Sequence, residues 1–294
     1  MKYKRTLFPL AMTVSFALIA MALFLQIKGS QWLFDIISEF GHFFFLGLGG
    51  AIIANSTGAG GGIVFIPAFS SLGLSSSEVL STSILIQCFG MTAGTISWFI
   101  SFRSRNTIFQ RYRSFLIRAI LTASLSSIAG VMISQLWLRS EINIPMLTVF
   151  SVLSIFFGLT LLFSNLYSGQ KTFPKTSMTP SDYFLIIPIC FAGGIITSII
   201  SIGVGEILLV LLFLRKYPMH VAIFVAVSVS AITVISCAPY QMAIEQTVVW
   251  DIVAFAAPAA IAGGVLGRYF ALLLGASRVK IFCALWVLMT GIFI

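Results

Sequence analysis

The sequence predicts an all-α polytopic membrane protein made of two inverted-topology repeats, each with a glycine-broken helical hairpin. Hydrophobic residues make up 59% of the 294-residue chain, charged residues 9%, and the mean hydropathy is +1.07. So few charges cannot cover a soluble protein of this size. Several continuously apolar stretches reach the roughly 20 residues that a transmembrane helix needs, and their lack of alternation argues against a membrane β-barrel.

The N-terminal 40 residues are predicted to be an extra transmembrane helix followed by an interfacial helix. Basic residues precede an apolar run over 6–27, which is longer than a usual signal-peptide core, so we interpret it as an uncleaved first span. The amphipathic stretch 29–40 is predicted to lie in the membrane interface. About seven full spans are predicted in all: 6–27, 79–101, 115–138, 145–167, 220–242, 250–270 and 279–294.

Two further apolar regions, 41–73 and 184–214, are each interrupted by glycines. The two interruptions align without a gap at an offset of 143 residues, which places Gly60 on Gly203 and Gly62 on Gly205. Glycines also serve close helix packing. However, broken segments at corresponding positions of two halves are typical of a transporter binding site.

Charges set the predicted orientation, because cytoplasmic loops collect Lys and Arg. The arginine-rich loop 102–113 is therefore predicted to be cytoplasmic. Suppose that each broken region is a hairpin that returns to the side it entered from. The other basic loops and the N-terminus are then cytoplasmic as well. If each were a complete crossing, the basic N-terminus and loop 102–113 would lie on opposite sides. The hairpin arrangement predicts the N-terminus inside and the C-terminus outside.

The two hairpins then enter from opposite faces, which defines the domain organisation. After the extension over 1–40, the first inverted repeat covers 41–167 and the second covers 183–294. The polar stretch 168–182 is predicted to be a solvated cytoplasmic linker between them. Inverted repeats of this kind are shared by many secondary transporters.

The breaks are predicted to bind a small anion. Non-helical backbone at membrane depth persists only where protein or a wet cavity satisfies it. Each break also creates a half-helix N-terminus, whose free N–H groups and positive dipole end attract anions. The substrate-binding residues predicted from the breaks and the polar face after the first are Asn55, Ser56, Thr57, Gly58, Gly60, Gly61, Gly62, Thr82, Ser83, Gln87, Ser198, Ser201, Gly203 and Gly205.

Glu206 is the one acid placed well inside an apolar segment of the sequence. An ionisable residue at that depth is a functional candidate by default. Three roles are open: coupling transport to protons, binding a cation or amino group, or capping the second half-helix. Protonation would remove the negative charge, so the proton role fits an anionic substrate, and Glu206 is predicted to be the coupling residue.

Other function classes find little support in the sequence. The four cysteines lie in apolar segments without a CxxC pair, and no metal, cofactor or catalytic residue is predicted. The net charge of +9 resides in short loops between spans, so it indicates orientation rather than nucleic-acid binding. The sequence contains no P-loop and no HExxH motif, which argues against a primary pump and an intramembrane enzyme.

The first break resembles the sulfite/sulfonate exporter family TauE/SafE, and the resemblance extends over residues 41–294. It is carried by Gly58, Gly60 to Gly62, Pro67, Thr82 and Ser83. The resemblance implies a secondary carrier of the bacterial inner membrane that moves small sulfur anions outward. The second half departs from the pattern, since Val204 replaces a glycine and Val210 stands where Pro67 stands. The first break is therefore expected to be the anion cradle and the second to hold the coupling element.

Together these observations predict a secondary transporter of a small anion, sulfite or an organosulfonate, that exports it by proton-coupled alternating access. The expected partners are that anion, protons and the lipid bilayer, with a homodimer left open. The alternative is an uncoupled anion channel or permease with the same fold, in which Glu206 is only a helix cap. An intramembrane enzyme is a distant third.

Overall fold

The computed structural model of the chain describes residues 37–104, 106–138, 146–167 and 175–292. These residues form α-helices and two π-helical turns joined by short connections, with no strand among them. The all-α prediction is therefore confirmed for the part of the chain described. The predicted first span, 6–27, and most of the predicted interfacial helix lie outside it. Residues 43–294 form one unit, and the following description concerns that unit.

The helices occur in the same order in both halves of this unit. The first half comprises α1 (His42–Thr57), α2 (Gly62–Ser71), α3 (Ser76–Ser104), α4 (Asn106–Ile133) and α5 (Met146–Tyr167). The second half comprises α6 (Pro180–Ile200), α7 (Val204–Leu214), α8 (Met219–Tyr240), α9 (Trp250–Leu274) and α10 (Ala276–Ile292). A π-helical turn extends α4 over Ser134–Leu138 and α8 over Gln241–Glu245.

Six helical segments among the described residues are long and apolar enough to cross a membrane. Three of them contain the predicted spans 79–101, 220–242 and 250–270, and a fourth, Phe109–Trp137, covers all but the last residue of the span 115–138. The other two are Ile37–Thr57 and Pro180–Ile200. The arms of each broken hairpin are therefore unequal. The second arms, α2 and α7, have 10 and 11 residues. At about 1.5 Å per residue they reach only about half of a hydrocarbon core of about 30 Å.

Equivalent helices of the two halves make equivalent contacts, so the packing pattern stays the same when the halves are exchanged. Helix α3 packs on α9 as α8 packs on α4, and α2 contacts α10 as α7 contacts α5. Helices α3 and α8 pack on each other at the centre, as do α5 and α10. Gly47 of α1 abuts Ala256 of α9, and Gly194 of α6 abuts Ser127 of α4 in the corresponding helix pair. Small residues let these helix backbones approach closely, so the two halves share one core.

Both breaks begin with a residue in the left-handed region of backbone conformation. Gly58 follows α1 with a φ of 81°, and Ser201 follows α6 with a φ of 60°. These positions correspond at the offset of 143 residues. A glycine adopts this conformation freely, whereas a serine there is held by its surroundings. Gly203, with a φ of 142°, then turns the chain into α7.

A buried carboxylate ties the start of α6 to the turn between α7 and α8. Asp182 is 1% exposed and pairs with Lys175 at 2.8 Å and Arg215 at 2.6 Å. It also accepts hydrogen bonds from the Thr179 N–H and the Tyr217 hydroxyl. Burial, reinforced by the hydrogen bond to Asp182, raises the pKa of Tyr217, which therefore stays a donor at neutral pH. The prediction of a solvated linker through residue 182 is wrong at its end, because α6 begins at Pro180 and buries Asp182.

Replacing Asp182 is expected to destabilise the protein. In Asp182→Asn the two partly exposed cations and the Tyr217 hydroxyl lose their shared charged acceptor. Because Lys175 and Arg215 are 26% and 29% exposed, we expect a loss of about 2 kcal/mol, below the roughly 3–5 kcal/mol for one partner of a fully buried pair. The measurement is the thermal unfolding midpoint of the solubilised protein. The control is Asp251→Asn at an exposed carboxylate, and equal midpoints for the two variants would contradict the prediction.

Candidate functional site

The two glycine breaks meet inside the shared core. A methyl group built on Gly62 would overlap the carbonyl of Ser201, and one built on Gly205 would lie 2.9 Å from the carbonyl oxygen of Gly58. Each break therefore needs a glycine where the backbone of the other crosses it. The breaks, which are far apart in the sequence, form a single buried crossing of two non-helical segments.

One carboxylate joins the two breaks at this crossing. Glu206, on the first turn of α7, is 2% exposed. Its Oε1 atom accepts the Gly60 N–H at 2.7 Å, and its Oε2 atom accepts the Gly203 N–H at 2.9 Å. Hydrogen bonds from N–H groups to a carboxylate are short and strong, and the dipoles of the half-helices add to them. The bond to Gly203 is a cap of its own helix, whereas the bond to Gly60 reaches the other half of the protein.

Helix α3 closes one side of the crossing with a polar network. The Gln87 amide nitrogen donates to the Ser201 hydroxyl at 2.7 Å and to the Ser201 carbonyl at 3.3 Å. It also reaches the Ser83 hydroxyl at 3.1 Å, which lies 3.0 Å from that of Ser201. These side chains are buried. The network holds the serine whose left-handed conformation ends α6.

The structure brings together most, but not all, of the predicted substrate-binding residues. At the crossing lie Gly58, Gly60, Gly61, Gly62, Ser83, Gln87, Ser201, Gly203 and Gly205, together with Glu206. The other predicted residues bond to their own helix or to a neighbouring one instead. Ser56 and Thr57 donate to the Ile53 carbonyl, and Ser198 bonds to Ser134.

Asn55 and Thr82 also serve helix packing. The Asn55 amide donates to the carbonyls of Ala51 and Gly90, which joins α1 to α3. Thr82 accepts the Val249 N–H at 3.1 Å at the entry to α9. Both side chains are buried, but their hydrogen bonds point to the supporting helices rather than to Glu206.

Two residues outside the predicted set also line the crossing. Thr197 accepts the Val204 N–H at 3.1 Å, and Ser230 of α8 faces Gly205. A cavity of about 10 Å³ lies between them, bordered by Glu206 and Gln87. That volume has room for about one water molecule. The sequence signal for Ser230 is weak, because it is one of several hydroxyls along a largely apolar helix.

A helical membrane protein in which two matching halves enclose paired broken segments has the architecture of a secondary transporter. The family model described as sulfite exporter TauE/SafE matches residues 43–294. The chain belongs to this family of membrane transporters, and the resemblance expected from the first break is confirmed. No curated protein and no solved structure matched the chain.

Proposed function

We propose that the protein is a secondary transporter that exports a small sulfur anion, sulfite or an organosulfonate, across the bacterial inner membrane by proton-coupled alternating access. The observation that carries the proposal is the Glu206 carboxylate, which accepts N–H groups from both breaks within the core. A carboxylate is itself an oxyanion. Its position supports the proposal that the N–H groups of this crossing can bind an oxyanion.

Glu206 and the transported anion compete for the same donors in this proposal. The cavity beside Glu206 holds about 10 Å³, which is too small for a sulfur oxyanion. The anion therefore binds only after the Glu206 side chain leaves at least one of Gly60 and Gly203. Protonation removes the charge that holds Glu206 to these N–H groups. Proton uptake and anion binding are thereby linked at one place, as coupled transport requires.

Alternating access in this proposal uses the two half-length helices. Basic loops favour an N-terminus inside and hairpins that enter from opposite faces. The packing pattern that survives exchange of the halves supports a two-fold relationship between them, and the charge distribution gives the inverted orientation. Movement of α2 and its neighbouring helices opens the crossing to one side of the membrane. The equivalent movement of α7 and its neighbours opens it to the other side.

A second candidate function is an uncoupled anion permease. The hydrogen bond from the Gly203 N–H to Glu206 favours it, because a carboxylate at the third position of a helix can act as a cap alone. The bond to Gly60 in the other half favours the coupled transporter, since capping α7 does not need it.

Reconstitution in liposomes tests the proposed substrate class. Purified protein is reconstituted, and the flux of sulfite, sulfoacetate, taurine and thiosulfate is measured with and without a pH gradient. We expect saturable flux of at least one sulfur anion, accelerated when protons move in the same direction as the anion, because the anion binds to the protein whose Glu206 is protonated. Protein-free liposomes report the leak of each compound. Absence of flux with every sulfur anion would exclude the proposed substrate class.

A further inference from the structure

Ser230 carries a buried hydroxyl that none of the described residues satisfies. Its side chain is 2% exposed, and its Oγ atom has no hydrogen-bond partner among them. Other hydroxyls of α8 bond to the preceding turn: Ser228 donates to the Phe224 carbonyl at 2.7 Å and Thr233 to the Val229 carbonyl at 2.8 Å. This is the default for hydroxyls in membrane helices. An unsatisfied buried donor costs about 1–3 kcal/mol, so Ser230 departs from the default at a cost.

The Ser230 hydroxyl points at the N-terminus of α7. A methyl group built on Gly205 would overlap it, and it borders the same small cavity as Glu206. The first N–H groups of a helix have no partner within the helix. Here the Gly203 N–H is taken by Glu206 and the Val204 N–H by Thr197. The Gly205 N–H is the next of these groups along α7.

The corresponding place in the first half is filled. Ser230 aligns with Gln87 at the offset of 143 residues. Gln87 is longer, and its amide donates to Ser201 at 2.7 Å. Gln87 and Ser230 both border the cavity of about 10 Å³. The Gln87 amide is already used by Ser201, whereas the shorter Ser230 side chain leaves an unused donor beside that cavity.

We propose that the Ser230 hydroxyl and the Gly205 N–H form the seat for one oxygen of the transported oxyanion. The inference rests on the proposed function and deepens it, because it names a substrate-binding residue and the group that residue holds. The seat lies beside Glu206, so an anion there faces that carboxyl directly. It also belongs to the second break, whereas the sequence comparison favoured the first break as the anion cradle.

The test compares Ser230→Ala with Ser228→Ala, a matched serine of the same helix whose hydroxyl is already satisfied. Sulfite binding to the solubilised protein is measured by calorimetry, and sulfite flux is measured in liposomes. Loss of a hydrogen bond to a charged group weakens binding by about tenfold or more. We expect that increase in Kd and KM for Ser230→Ala, and unchanged values for Ser228→Ala.

Thermal unfolding separates a binding role from a structural one. Because the Ser230 hydroxyl has no protein partner among the described residues, its removal is expected to leave the unfolding midpoint unchanged or higher. Equal sulfite affinity for the wild type and Ser230→Ala, or no sulfite binding by the wild type, would overturn the seat. Wild-type flux with an unaffected Ser230→Ala variant refutes the seat alone. Binding that needs Ser230 without any flux refutes the proposed function alone.

Discussion

The variant Glu206→Gln is expected to lose proton-driven transport of the sulfur anion while retaining exchange of the anion across the membrane. Glutamine keeps the size of the side chain but carries no exchangeable acid proton. Its amide nitrogen also cannot accept a hydrogen bond, so it satisfies only one of the Gly60 and Gly203 N–H groups. Anion movement then no longer depends on protonation at this site. The measurements are flux driven by a pH gradient and exchange of labelled sulfite at equal pH.

Two outcomes of this experiment separate the candidate functions. Asp251→Asn, at an exposed carboxylate on the first turn of α9, is the matched control and should transport like the wild type. If gradient-driven flux survives unchanged in Glu206→Gln, Glu206 is only a helix cap and the uncoupled permease is the better account. Loss of both gradient-driven flux and exchange contradicts the expected separation of coupling from translocation.

The variant Gly62→Ala is expected to damage both folding and transport. A methyl group at this position would overlap the Ser201 carbonyl and lie 2.5 Å from the Ile202 side chain. Backbone cannot yield as easily as a flexible side chain, and overpacking of this kind costs about 1–3 kcal/mol. Moving the breaks apart also draws Gly60 away from Glu206. We expect a lower unfolding midpoint and a loss of sulfite flux of about tenfold or more.

Gly49→Ala provides the control for this prediction. Gly49 also lies in a helix of the first half, but no atom lies within 4 Å of a methyl group built there. Alanine favours a helix over glycine by about 1 kcal/mol, so this variant should be as stable as the wild type or more so. Wild-type stability and flux in Gly62→Ala would contradict the close crossing of the two breaks.

The sequence predicts some residues of the site correctly and misassigns others. Gly60, Gly62, Gly203 and Glu206 were identifiable because clustered glycines recur at matching positions of the two halves and an acid is rare within a long apolar segment. Their structural positions meet at one crossing. Asn55 and Thr82 were selected by the same logic of polarity near a break. They serve helix packing instead, because the direction of a polar side chain depends on which neighbouring backbone group needs a partner.

The environments of Asp182 and Ser230 could not be predicted from the sequence. Asp182 lies in a polar stretch, yet the turn after α7 brings Arg215 and Tyr217 around it. Ser230 is one of several hydroxyls on its helix, and only the approach of Gly205 distinguishes it from Ser228. Neither environment is local in the sequence.

The sequence by itself determined the helical membrane class, the breaks and the family resemblance, because hydrophobic length and glycine spacing act along the chain. Only the tertiary structure decided which groups the breaks present to each other. The two crossing backbones and the Glu206 bridge depend on contacts between residues more than 100 positions apart. The environment of Ser230 depends on the approach of Gly205 from another helix. Such contacts are set by helix packing, which brings the second half onto the first.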